Sequence, residues 1–117
     1  MVNKVSKWEI YFCNLNPTEG SEQHGIRPVI IISNDLVNHN LPVSTVIPMS
    51  SANLDDKIYP TEIFLPNNIT GVKKDSVAMI QQIQTISHGR LNNRAGIIEN
   101  EEYKDKILSA LKTYFEF

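Results

Sequence analysis

Pro28-Val29-Ile30-Ile31-Ile32 is an unbroken apolar run opened by a proline. Four branched aliphatic residues in a row suit a β-strand covered on both faces, because alternate side chains point to opposite sides and all of them need cover. The proline stands at the start, where a missing N–H costs a sheet least. Upstream, Trp8-Glu9-Ile10-Tyr11-Phe12-Cys13 is aromatic and β-rich and reads as a strand ending at Asn14-Leu15-Asn16-Pro17. Downstream, Ser33 to Asn40 is polar and rich in asparagine, and Val43 to Met49 is a further strand. Pro48 inside that strand predicts an edge position or a bulge. Thr61 to Leu65 alternates as a half-solvated strand does, and Asp75 to Thr85 reads as one strand with Val77 and Met79, extended to Gln81, on one face. Short strands at this spacing, joined by Pro/Gly loops, predict a small barrel or a strongly coiled sheet.

The chain closes differently. Asn100 is a good N-cap, and Glu101 and Glu102 put negative charge on the first turn of a helix. Tyr103, Ile107, Leu111 and Tyr114 recur at steps of four and three, with Leu108 and Phe115 widening the stripe. The helix packs on the barrel or on a partner subunit; for its aromatic end, Tyr114 to Phe117, core packing and a dimer contact fit equally.

Length and composition bound the rest. With 117 residues, 41% hydrophobic and 21% charged, the expectation is one soluble domain over 1–117. No apolar run reaches the roughly 20 residues of a membrane span, which predicts no membrane partner. A single cysteine, Cys13, excludes an internal disulfide and points to a reducing, cytoplasmic compartment. Net charge is −2, with eight basic and eight acidic groups in residues 1–98 and the acidic surplus in the last nineteen. A duplex-DNA binder relying on counterion release needs a basic excess, and none is visible. A nucleic-acid partner would be gripped at a few local points.

Several chemistries are missing. His24, His39 and His88 are far apart in sequence with no paired ligand nearby, which speaks against zinc. Asp55-Asp56 is the only acidic doublet before the C-terminal helix, and adjacent side chains in an extended loop point apart, a poor Mg²⁺ pair. There is no phosphate-cradling Gly-rich loop and no nucleophile elbow. Any catalysis is expected to proceed without a metal.

The chemically loaded stretch is Gly20-Ser21-Glu22-Gln23-His24-Gly25-Ile26-Arg27-Pro28. A planar guanidinium fixed at a strand end can grip a phosphate bidentately, or it can simply pair with Glu22 at the surface. Ser50 and Ser51 put hydroxyls at the end of another strand. Serines there usually close turns, and they gain meaning if they face Arg27 across the sheet.

The segment Leu15-Asn16-Pro17-Thr18-Glu19-Gly20-Ser21-Glu22-Gln23-His24-Gly25-Ile26-Arg27-Pro28-Val29 resembles the N-terminal signature of the MazF/PemK toxins of bacterial toxin–antitoxin modules. The resemblance continues through Ile30 to Asp35, Val46 to Ser51, Asp75 to Val77, Gln82 to Ile86 and Arg90-Leu91, and so covers most of the chain. It implies a mainly β (α+β) fold, an SH3-like small β-barrel of the CcdB/MazF/PemK type with a C-terminal amphipathic helix, assembled as a homodimer. It also implies sequence-specific cleavage of single-stranded RNA without metal or other cofactor, the ribose 2′-OH attacking the adjacent phosphate to leave a 2′,3′-cyclic phosphate and a 5′-OH. The implied inhibitor is a cognate MazE-like antitoxin with an acidic C-terminal tail. By motif position Arg27 matches the family's catalytic arginine and Ser50 its usual catalytic threonine. Glu22, Gln23, His24, Ser51, Gln81, Gln82 and Gln84 are the expected substrate-binding residues; an amide offers the donor and acceptor that a base edge requires, and exposed strand polarity is the plainer reading for the glutamines. Glu22 and His24 are also candidates for proton transfer. Three departures stand out. Ser50 lacks threonine's β-branch, Met79 and Gln81 stand where the Kid-like branch uses arginine and aspartate, and Trp8 stands where the family commonly has glycine. The alternative reading is a non-enzymatic, CcdB-like toxin that binds DNA gyrase.

Overall fold

The computed structural model describes residues 4–16, 19–20, 22, 25–52 and 57–117. Among the described residues, seven strands and three α-helices follow in the order β1 (Glu9–Asn14), β2 (Ile26–Ile31), α1 (Asp35–Asn38), β3 (Val43–Ser51), β4 (Glu62–Leu65), α2 (Asn67–Thr70), β5 (Ser76–Met79), β6 (Gln84–Ser87), β7 (Leu91–Ile97) and α3 (Glu101–Phe115). All pairings are antiparallel, in the order β4-β5-β3-β2-β1-β7, with β6 joining β3. This is the mainly β small barrel with a C-terminal helix that the sequence predicts.

The apolar run in β2 is covered on both faces. Ile30 and Ile32 join Ile10, Ile47 and Met49 in the barrel interior, which Ile107 and Leu111 of α3 close. Val29 and Ile31 face the other way, into a second cluster with Tyr11, Cys13, Val46 and Ile86. Pro28 is not the first strand residue. It pairs with Phe12 in the stretch of β2 that the β3 ladder, beginning at Val29, does not reach.

Pro48 corrects a second expectation: it is buried at mid-strand, opposite Val29 in an unbroken β2–β3 register, at neither an edge nor a bulge of that ladder. On one side β3 pairs with β2. On the other it pairs with β6 over Val43–Val46 and with β5 over Met49–Ser51. Ile47 and Pro48 fall between those two ladders, so the missing N–H sits where the strand changes partners. The same exchange breaks the single strand expected over Asp75 to Thr85. The chain makes a 3₁₀ turn at Ile80–Gln82 to step along β3 from one ladder to the other.

Asn100 caps α3 by accepting from the Tyr103 N–H at 3.1 Å. Ile107 and Leu111 are buried, and Tyr103 and Ala110 pack against the same core. The aromatic end does not join it: Tyr114, Phe115 and Phe117 are all exposed. Trp8 precedes β1 with φ at +76°, the left-handed region where a side chain is strained by about 1–2 kcal/mol and glycine is not. Its N–H donates to the Ile31 carbonyl and its carbonyl accepts from the Ile98 N–H, joining the ends of β2 and β7. The indole packs on the barrel core under Lys7 and Lys104.

Candidate active site

Arg27 is the second residue of β2, half-buried, and pairs across the ladder with Cys13 of β1. The β2–β3 ladder ends at Val29 opposite Pro48, and continuing its register two residues puts Arg27 across from Ser50. Directly opposed residues in an antiparallel pair share one face of the sheet. Ser50 is in turn opposite Val77 of β5, so the extended register would align Cys13, Arg27, Ser50 and Val77 across four strands. Ser51 falls on the other face, as pleating requires. It is exposed and lines a cleft at the barrel mouth that Arg27 also lines and Ser50 does not.

Part of the loop between β1 and β2 is described. Leu15 N–H donates to the Gly25 carbonyl, and Gly25 N–H donates to the Asn16 side chain. Gly25 has φ at +79°, which lets the chain reverse into β2 without a strained Cβ. Glu22 is exposed, and its Oε1 accepts from the Glu19 N–H at 2.6 Å. It shares a groove of about 340 Å³ with Gln84, Thr85, Ser87 and Arg90. Gln23, His24 and the Asp55-Asp56 doublet lie outside the described residues.

The other glutamines separate. Gln81 uses its amide at both ends within the sheet, accepting from Thr61 Oγ1 at 2.9 Å and donating to Glu62 Oε2 at 3.0 Å. Gln82 shares the 3₁₀ turn, and only Gln84, on β6, lines the groove with Glu22. The two described histidines hold hydroxyls: His39 Nε2 lies 3.1 Å from Ser6 Oγ, and His88 Nε2 lies 2.7 Å from the buried Ser44 Oγ.

Arg90 was assigned no role from sequence, yet its Nη1 donates to the Asn16 carbonyl at 2.6 Å and lies 3.4 Å from that of Asn14. It clamps the loop that carries Glu22, across 74 residues of sequence. Its only sequence signal was inclusion in the family pattern.

Cys13 stands beside Arg27 and is fully buried; burial pushes its thiol up to about 11, against a smaller lowering by Arg90. At pH 8 such a thiol is about 0.1% thiolate, while an ordinary cysteine is roughly a quarter ionised. Iodoacetamide at pH 8 should therefore modify the native protein more than about a hundred-fold slower than the urea-unfolded chain. Equal rates by mass spectrometry would show that the row around Arg27 opens to solvent.

Residues 6–115 match the family model described as the PemK-like, MazF-like toxin of type II toxin-antitoxin systems. Endoribonuclease EndoA of Bacillus subtilis (strain 168) is 34% identical over 108 residues, covering 92% of this chain and 91% of its own. Endoribonuclease MazF of Staphylococcus saprophyticus is 31% identical over 101 residues, with 86% and 83% covered. The crystal structure of MazF (Form-I) from Deinococcus radiodurans superposes with a TM-score of 0.83 at 18% identity, over 99% of this chain and all of that one. The chain belongs to the family of PemK-like, MazF-like toxins of type II toxin-antitoxin systems.

Proposed function

We propose that this protein is an endoribonuclease toxin that cuts single-stranded RNA through Arg27 and Ser50 without a metal. The observation that supports the site is the β2–β3 register, which ends at Val29 opposite Pro48 and, extended by two residues, brings Arg27 level with Ser50.

In the reaction, the ribose 2′-oxygen attacks the adjacent phosphorus and loses its proton. A pentacoordinate phosphorane forms, the P–O5′ bond breaks, and O5′ takes up a proton. The products are a 2′,3′-cyclic phosphate and a 5′-hydroxyl. Negative charge grows on the non-bridging oxygens, and a bidentate guanidinium neutralises it. Ser50 Oγ donates to one of those oxygens and holds the phosphate in line. Without threonine's β-branch it is freer about χ1 and less preorganised. Arginine is a poor general base at its ordinary pKa, so the 2′-OH proton goes to another group, for which Glu22 and His24 are the spare candidates.

Base recognition falls to the groove that joins Glu22 and Gln84, with Arg90 holding its loop. The exposed aromatic end of α3 supports a homodimer, and the family supports inhibition by a cognate antitoxin with an acidic tail in the cytoplasm.

Purified protein incubated with a long mixed RNA in EDTA should yield discrete fragments with 5′-hydroxyl ends and 2′,3′-cyclic phosphates at the matching 3′ ends. Intact RNA together with inhibited DNA supercoiling would instead assign the gyrase-binding alternative.

A further inference from the structure

A group of cations extends beyond the Arg27–Ser50 pair. It rims the mouth of the barrel, a cleft of about 620 Å³. The floor is apolar, built from Phe12, Ile26, Pro28, Met49, Val72 and Ala95. Lys73, Lys74, Arg94 and Arg27 also line it. Three features make this more than an incompletely closed core.

The first is exposure. Phe12 is 40% and Ile26 65% solvent-accessible, so the apolar surface is offered outward. The second is charge. Arg94 is shared with Glu9 at 3.5 Å, but Lys73 and Lys74 are exposed and neither pairs with a carboxylate among the described residues. In a chain of net charge −2 this is a local exception. The third is continuity. Ser51, Lys73 and Lys74 also line an adjoining groove of about 490 Å³, where Asp75 lies, so cleft and groove form one trough.

An aromatic face with cations spaced around it is how proteins hold single-stranded nucleic acid: bases stack on the ring and phosphates meet the lysines. We propose that the barrel mouth is an accessory groove for the RNA strand, holding nucleotides that flank the scissile step. A base stacks on Phe12, and flanking phosphates contact Lys73, Lys74 and Arg94. Arg27 belongs to both sites, so a strand anchored there by its scissile phosphate meets the trough as it leaves the catalytic face. An acidic peptide would also satisfy the cations. Shared Arg27 and the exposed ring favour the polynucleotide. The inference rests on the RNA-cleaving reading and adds to it a determinant of substrate length.

The test uses fully 2′-O-methylated RNA, which has no 2′-OH to react. Oligonucleotides of about 6 and about 20 nucleotides are titrated by fluorescence anisotropy against wild type and Lys73→Ala/Lys74→Ala. The long probe should bind the double variant about tenfold more weakly, with a logarithmic salt slope shallower by about 1.4, since each phosphate contact to a single strand contributes about 0.7. The short probe should change less than about twofold, and the variant should keep the wild-type kcat on a short cleavable RNA. An unchanged Kd and slope for the long probe overturns the proposal. So does an equal loss on both probes, which would put the lysines in the catalytic groove. Undiminished RNA binding with lost binding of a polyglutamate peptide would assign the cleft to a protein partner. If the long probe behaves as expected while wild-type protein leaves natural RNA uncut, the nuclease reading fails and the accessory groove stands.

Discussion

Arg27→Ala should lower the RNA cleavage rate by about a thousandfold or more, with an unchanged circular dichroism spectrum and sedimentation coefficient. The magnitude follows from the task assigned to the side chain. Removing one preorganised donor to a developing oxyanion costs about 10²–10³ in rate, and removing an arginine from a phosphoryl transition state about 10³–10⁵. A thousandfold is roughly 4 kcal/mol of transition-state stabilisation at 1.36 kcal/mol per decade. Arg27→Lys should recover only part of the loss, because an ammonium carries the charge without the planar fork that spans two phosphate oxygens. Ser50→Ala should cost less, about ten- to a hundredfold, since it removes one hydrogen bond from an uncharged donor to a charged oxygen and leaves the cation in place. The order of these effects is the informative part. If Arg27→Ala cuts within tenfold of wild type in EDTA, the row Cys13-Arg27-Ser50-Val77 is scaffold and the chemistry lies elsewhere.

The candidate residues can be picked out because they are carried by local sequence. Pro28 to Ile32 announces a doubly covered strand, and both catalytic candidates stand beside strand prolines, Arg27 before Pro28 and Ser50 two residues past Pro48. The capped helix was legible for the same reason: Asn100, two glutamates and a four-three apolar stripe lie within fifteen residues. Other features were not. β7 reads Leu91-Asn92-Asn93-Arg94-Ala95-Gly96-Ile97, with no apolar alternation, and becomes a strand only because β1 supplies its hydrogen-bond partners, through an irregular register. The one-turn helices α1 and α2 are too short to show a period. The break between β5 and β6 has no local signal, since it comes from β3 changing neighbours. Arg90 and the barrel-mouth cleft depend on residues far apart in the chain, which spacing alone cannot join. Trp8 lies between these cases. The family's preference for glycine there was visible, and the left-handed φ gives its physical reason.

The least conspicuous residue of β7 carries the second large effect. Gly96→Ala should lower stability by about 3 kcal/mol or more and Tm by roughly 12 °C, measured by thermal unfolding at neutral pH. A Cβ built on Gly96 would lie 2.1 Å from the Thr70 carbonyl oxygen and 3.1 Å from its carbon, both backbone atoms at the end of α2. No rotamer change relieves a clash with backbone, so α2 or β7 must move. Both are held: Gly96 pairs with Ile10 in the β1 ladder, and α2 is anchored by the Asn67 N–H donating to Asp75 Oδ1 at 2.8 Å. Gly89→Ala is the matched control, because its Cβ would meet only Ser87 Oγ, at 3.8 Å, an ordinary contact. It should change Tm by less than about 3 °C. A Gly96→Ala protein that melts like wild type would show that α2 does not rest on β7. That would remove a wall of the barrel mouth, since Gly71 to Lys74 follow α2 directly and Arg94 and Ala95 precede Gly96.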